Sequence, residues 1–237
     1  MMDIKILYED NHLLVAVKKP GVLSQAGSLD MPDMLSILKD YIKDKYQKPG
    51  NVFLGLVHRL DLNVGGVMVF ARTSKAAKRL NEQVRNHLFS KKYLAVVLGK
   101  MNLDQQVHVL ENYIKKDEVH KVAQITESKN DQYAKLTYQV IEQVNIKRDV
   151  ISLVDISLET GRFHQIRAQF SHIGHPLYGD NKYGPKTLGY ELGLYAYELS
   201  FSHPITKESL TFIHYPGEGI FKSFIIFGGN SNDSNEN

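Results

Sequence analysis

The chain has 237 residues, of which 43% are apolar and 23% charged, enough to build one large or two small folded domains and too apolar for a disordered polymer. It contains no cysteine, which excludes a disulfide framework, a thiolate nucleophile and a cysteine-built zinc site, so any nucleophile must be oxygen or nitrogen. The net charge of +3 conceals an asymmetry: residues 51–100 carry nine Lys/Arg against only Asp61 and Glu82, and the rest of the chain is net acidic. Such a basic cluster fits a polyanion, most simply nucleic acid, because cations there displace counterions condensed on phosphates; a solvated basic helix is the alternative.

In chain order, Ile4 to Tyr8 and Leu13 to Val17 read as an opening hairpin closed by Lys19-Pro20-Gly21. Met34, Leu35, Leu38 and Ile42 recur at helical spacing, predicting a helix that starts at Pro32 behind Asp30 and ends at Lys48-Pro49-Gly50. Val67 to Ala71 has the pattern of a short buried strand. Thr73 or Ser74 then caps a helix with Ala76, Ala77, Leu80 and Val84 on its apolar stripe and Lys75, Lys78, Arg79 and Arg85 on its polar face.

The middle of the chain is strand-rich: Tyr93 to Leu98, Val107 to Ile114, Ala134 to Ile141 and Val150 to Leu158. Strands in succession without alternating helices predict an α+β fold, with a mixed, mainly antiparallel sheet flanked by helices. A third helix is expected from His164, with Ile166, Phe170 and Ile173 inward and Gly174 as its stop, followed by strands at Leu194 to Phe201 and Leu210 to His214. No repeat or linker divides the chain, so residues 1–227 are expected to form one domain. Residues 228–237, a Gly pair followed by amides, hydroxyls and two acids, are expected to be a disordered tail. No apolar run reaches the roughly 18 residues of a membrane span, and the first 30 residues lack the order of a secretory signal, so a soluble, cytoplasmic protein is expected.

Ten histidines raise the question of a metal, but His172 and His175 are separated by a helix-stopping Gly174 and followed by Pro176, which argues against a rigid zinc pair. Neither GxxxxGK[ST] nor GxGxxG occurs, so a phosphate-cradling nucleotide loop is not expected. Two segments remain. In His58-Arg59-Leu60-Asp61, the acid is flanked by leucines and precedes Gly65-Gly66 and a buried strand. It is either a turn-capping carboxylate or one held at a cleft floor, where burial demands a cationic partner. In Leu158-Glu159-Thr160-Gly161-Arg162-Phe163-His164-Gln165-Ile166-Arg167, a strand, a glycine turn and a basic helix start follow in order. Arg162 and Arg167 suit either a phosphate or a carboxylate clamp.

With HRLD (58–61), KKYLAVVLG (91–99), LETGRFHQIR (158–167) and HIGHPLYGDNKYG (172–184) in this order, the chain resembles the RluA-type family of RNA pseudouridine synthases. ILYEDNHLLVAVKKPGVLSQ near the start and LYAYELSFSHP near the end extend the resemblance from about Ile4 to Ile213. The resemblance implies an isomerase acting on structured ribosomal or transfer RNA, with no redox or nucleotide cofactor and no metal; nothing in the sequence demands more than a monomer. It implies Asp61 as nucleophile, Tyr93 facing the target uracil, and Arg167 pairing with Asp61. Leu158 would pack under the base, Arg59 would fill the place of a flipped-out uridine, and Arg162, His164 and Gln165 would bind RNA or support the site. The chain departs from the family pattern at Val64-Gly65-Gly66 (usually Thr-Ser-Gly), at Phe163 (usually Thr) and at Gln169-Phe170 (usually His-Leu), none of which touches Asp61, Tyr93 or Arg167. Only 57 residues precede His58 and they already resemble the catalytic domain, so recognition is expected to use this domain alone. A non-catalytic RNA-binding relative is the alternative. A glycoside hydrolase, which needs two carboxylates across a sugar, ranks last.

Overall fold

The structure, a computed structural model, describes residues 4–27, 31–146, 149–186 and 191–228. They fall into two compact units: residues 1–90 with 196–215, and residues 91–195 with 216–237. The expected tail beyond Gly228 lies outside the described residues, as does Asp30.

The first unit opens with strands β1 (Ile6–Glu9) and β2 (Leu13–Lys18), an antiparallel hairpin. Its turn is fixed by Asp10, whose Oδ1 accepts the N–H groups of His12 and Leu13 at 2.7 and 2.6 Å. Helix α1 (Met34–Lys45) starts two residues later than the sequence predicts. Leu23 and Asp33 form a bridge in which Leu23 N–H donates to Pro32 and Met34 N–H donates to Leu23, so 32–33 stay extended and Asp33 becomes the N-cap. The helix also stops earlier, because Gln47 adopts a left-handed conformation (φ 49°). A two-residue strand β3 (Gly55–Leu56) and strand β4 (Gly65–Ala71) enclose the HRLD loop; β4 pairs antiparallel with both β2 and β3. Helix α2 (Ser74–Arg85) is capped by Thr73, whose Oγ1 accepts the Ala76 N–H. It buries Ala76 and Leu80 in a core with Leu13, Val15, Val67, Val69 and Phe201. Lys75, Lys78 and Arg85 are exposed on the opposite side, whereas Arg79 is half-buried and donates to the Pro204 carbonyl at 2.8 Å.

The second unit is built on strands β5 (Ser90–Leu98), β6 (His108–Asp117), β7 (Val122–Thr126), β8 (Gln132–Ile146) and β9 (Asp149–Leu158). Their spatial order is β5-β9-β8-β6-β7 and every neighbouring pair is antiparallel. Strand β8 runs past Ile141, where the sequence pattern ended, because a bulge between Val140 and Glu142 absorbs the break in alternation. Helix α3 (Gln165–His172) packs over β6 and β7 on a seam of small residues in which Ala123, Ala134 and Ala168 are buried with Ile114. The chain then re-enters the first unit through β10 (Leu194–Ser202) and β11 (Ser209–Ile213), another antiparallel hairpin. The architecture is α+β, as the succession of strands implied.

Strand β4 begins at Gly65, two residues before its apolar run, because Gly66 pairs with Lys18. Gly66 has φ 135°, and a Cβ there would lie 2.2 Å from the Ala196 carbonyl oxygen. No L side chain fits either demand. Gly66→Ala is therefore expected to destabilise the chain by at least about 3 kcal/mol in urea unfolding. A loss under about 1 kcal/mol would show that β4 can shift away from Ala196.

Candidate active site

In the first unit, the HRLD loop is held on both sides of its acid. Leu60 is tied through both backbone groups to Ser24: its N–H donates to the Ser24 hydroxyl at 3.1 Å and its carbonyl accepts from it at 2.8 Å. On the other side, the Leu62 carbonyl accepts from the Lys18 ammonium and the Gly21 N–H, each at 2.9 Å, and Val64 N–H closes a turn onto the Asp61 carbonyl. His58 accepts the Val69 N–H through Nε2, which puts its proton on Nδ1 and anchors the start of the loop to β4. Asp61 itself is half-buried and Arg59 is exposed, so the loop presents one carboxylate and one guanidinium from a fixed backbone.

Lys18 is a residue to which the sequence reading gave no role. It ends β2 with no exposed surface, and its ammonium donates to Lys19 and Leu62 carbonyls. Burial pushes its pKa down to about 8, against the pull of the Asp61 charge, which favours the ammonium. The first unit thus places a buried cation behind the loop that carries Asp61. The only sequence signal was a lysine ending an otherwise apolar strand before Pro-Gly.

In the second unit, Tyr93 lies on β5 opposite Ile156 of β9. Strand alternation places Leu158, two residues after Ile156, on the same ladder face as Tyr93. Tyr138 of β8, opposite Ile156, shares that face and meets Phe170 of α3 edge-on at 5.1 Å, so the helix that carries Arg167 packs against it. The glycine turn before α3 is held by Gln165. Its Oε1 accepts from the Thr160 hydroxyl at 2.8 Å and the Arg162 N–H at 3.0 Å, and its Nε2 donates to the Lys135 carbonyl. Gln165 is buried, and these bonds give it a supporting part. Arg162 is half-buried, with Nε donating to the Tyr133 carbonyl. His164 takes a left-handed conformation (φ 50°), stacks on Phe163 at 3.8 Å and lies 2.9 Å from the Tyr183 hydroxyl.

Arg167 is clamped bidentately by Asp180: Nε and Nη2 each donate to a carboxylate oxygen at 2.7 Å. Asp180 is only 1% exposed, and its Oδ1 also accepts the N–H groups of Lys182 and Tyr183, while the Tyr183 ring lies 5.1 Å from the guanidinium carbon. The preceding Gly179 has φ 69°, and a Cβ there would fall 1.9 Å from the Glu191 carbonyl oxygen. The GD pair inside HIGHPLYGDNKYG therefore serves to aim a buried guanidinium, a role the sequence reading did not assign.

Residues 12–172 match the family model of the RNA pseudouridylate synthases. The chain belongs to this family. Its members are isomerases, and the α+β architecture agrees with theirs. Among relatives, the chain is 33% identical to the ribosomal large subunit pseudouridine synthase D of Nitrosomonas europaea, with 87% of this chain covering 60% of that one. It is 32% identical to the tRNA pseudouridine synthase C of Haemophilus ducreyi, covering 89% of this chain and 90% of the other. The solved human RNA pseudouridylate synthase domain containing 1 shares the fold with a TM-score of 0.71 at 22% identity, covering 90% of this chain and 84% of the other. Among the described residues, no helix is long and apolar enough to cross a membrane.

Two outcomes are expected from these contacts. The folded chain releases the Lys18 proton near pH 8, whereas the unfolded chain keeps it to about 10.5, so wild type should gain stability relative to Lys18→Met between those values. Urea unfolding across that range checks this, and a flat difference would show that Lys18 titrates normally when folded. Asp180→Ala leaves a buried guanidinium without its clamp and should cost about 3–5 kcal/mol by the same measurement; a cost below about 1 kcal/mol would mean that the clamp does not hold Arg167.

Proposed function

We propose that this chain isomerises specific uridines in ribosomal or transfer RNA to pseudouridine, with Asp61 as the nucleophile. Family membership supports the reaction class. The names of the two relatives, one a ribosomal and the other a tRNA synthase, support the two substrate classes. The observation that carries the assignment of Asp61 is the pinned loop: an acid between two anchored residues, half-exposed above a buried ammonium, is a group held for use.

The reaction breaks the bond between uracil nitrogen 1 and ribose carbon 1′, turns the base, and joins carbon 5 to the same carbon 1′. The proton on carbon 5 leaves and nitrogen 1 gains one, so electrons balance without an oxidant or reductant. A carboxylate can serve either by adding to the uracil ring or by assisting departure of the base at the sugar. In this reading Tyr93 faces the uracil and helps move the carbon 5 proton, and Leu158 packs beneath the base. Arg167, aimed by Asp180, supplies a fixed positive charge. A stacked uridine cannot offer its glycosidic bond to a side chain, so the nucleotide flips out at a cost of a few kcal/mol, and exposed Arg59 fills the gap it leaves. Arg162 and His164 contact RNA, Gln165 holds their turn, and the exposed Lys75, Lys78 and Arg85 of α2 draw in phosphates. The reading treats residues 1–227 as one catalytic domain that works as a cytoplasmic monomer without a cofactor.

Mapping pseudouridines across total cellular RNA with and without the protein identifies the substrate. Asp61→Asn should then lower the rate of pseudouridine formation about 10⁴-fold or more while RNA affinity stays within about threefold. Retained turnover would remove Asp61 from the nucleophile role, and a wild-type chain that binds RNA without modifying it would make this a non-catalytic relative.

A further inference from the structure

Tyr183, near the end of HIGHPLYGDNKYG, has no part in the proposed reaction, yet it touches two residues that do. Its backbone is fixed through both polar groups: the N–H donates to Asp180 Oδ1 at 3.2 Å and the carbonyl accepts from the Ser171 hydroxyl at 2.8 Å. From that anchored position its ring lies 5.1 Å from the Arg167 guanidinium carbon, within the reach of a cation–π contact. Its hydroxyl lies 2.9 Å from His164 Nδ1 and also accepts the Ala123 N–H of β7. The imidazole and the phenol ring meet edge-on, with centroids 5.6 Å apart at 81°.

A tyrosine that merely fills the seam under α3 would account for the ring and not for the hydroxyl. The ring does pack on the cluster of Ile114, Ala123, Ala134 and Ala168, and a phenylalanine would pack there in the same volume. The hydroxyl instead meets the imidazole of His164, which stands at the N-cap of α3 in left-handed backbone and makes no side-chain bond to the helix it starts. Stacking on Phe163 sets the plane of that imidazole, and a bond to one ring nitrogen sets its rotation within the plane. On the other side, the Asp180 clamp sets where the Arg167 guanidinium points, and the Tyr183 ring adds a second contact to it.

We propose that Tyr183 is a positioning residue with two separable parts: its hydroxyl holds the imidazole of His164 for RNA, and its ring holds the guanidinium of Arg167 for the reaction. This rests on the reading that His164 contacts RNA and Arg167 serves catalysis. The test uses full-length wild type, Tyr183→Phe, Tyr183→Leu, His164→Ala and the double variant of Tyr183→Phe with His164→Ala, on a transcript carrying a uridine that mapping identifies as modified. Dissociation constants are measured for each, and pseudouridine formation under single-turnover conditions at saturating protein.

Tyr183→Phe keeps the ring and should weaken RNA binding about fivefold, with a smaller effect on the rate; the loss of affinity should disappear in the His164→Ala background. Wild-type affinity in Tyr183→Phe, or a loss that persists undiminished without His164, would overturn the proposal. Tyr183→Leu removes the ring as well and should lower the single-turnover rate about tenfold or more below that of Tyr183→Phe. Equal rates for the two variants overturn the proposal equally. Should Tyr183→Leu fail to fold, pentafluorophenylalanine at position 183 takes its place, because it keeps the shape of phenylalanine and reverses the polarity of the ring face. Its rate should fall about threefold or more below that of Tyr183→Phe, and an equal rate overturns the proposal. A wild-type chain that binds the transcript but never modifies it refutes the enzymatic reading alone, because the affinities of the four-variant cycle still test the link from Tyr183 to His164.

Discussion

The ammonium of Lys18 is fully removed from water, and what it does there organises the first unit. It satisfies itself on two backbone carbonyls, one of them Leu62, and in doing so ties the end of β2 to the residue just after Asp61. The constraint works in both directions. Because the Lys18 charge is costly to bury, it favours the loop conformation that supplies one of its two acceptors, the Leu62 carbonyl, and a nearby carboxylate. Because that loop is also sewn to Ser24 and, through His58, to β4, Asp61 inherits the rigidity of the sheet although it sits on a loop.

The second unit meets the same requirement with a different device. Its guanidinium is fixed by a carboxylate, and that carboxylate is itself fixed by two backbone amides of the turn after Gly179. A bidentate clamp specifies orientation as well as position, which a single ammonium cannot do. The turn before α3 is held by a neutral amide, Gln165, whose oxygen accepts from the turn and whose nitrogen donates to the Lys135 carbonyl. In each unit the proposed reacting groups stand on backbone held by residues that never need to touch RNA.

The fold class, the three helices and most strands were legible because they rest on periodicity, which survives in a single sequence. β7 was not: Val122–Thr126 is five residues long and follows a charged stretch, so its alternation has too few positions to stand out. The start of α1 was misplaced because a long-range bridge between Leu23 and Asp33 overrides the local signal of Pro32. Among site residues, the motifs drew attention to Asp61, Tyr93 and Arg167, but neither Lys18 nor Asp180 could be assigned from them. A lysine closing a strand and an acid after a glycine look like surface residues until burial is known. Gly66, the one position of Val64-Gly65-Gly66 that keeps the family's residue, reads as a geometric demand, since the backbone of Ala196 occupies the space of any side chain there; the differences at Val64 and Gly65 have no structural explanation.

The seam under α3 is made of methyl groups. Ala123, Ala134 and Ala168 bring the helix close to the sheet, and the height at which the helix rides sets how far Arg167 stands from the strands beneath it. Side-chain volume at three inert positions is thereby converted into the placement of a charge. Adding or removing single carbons in this hidden layer moves the guanidinium while leaving every residue of the proposed site unaltered.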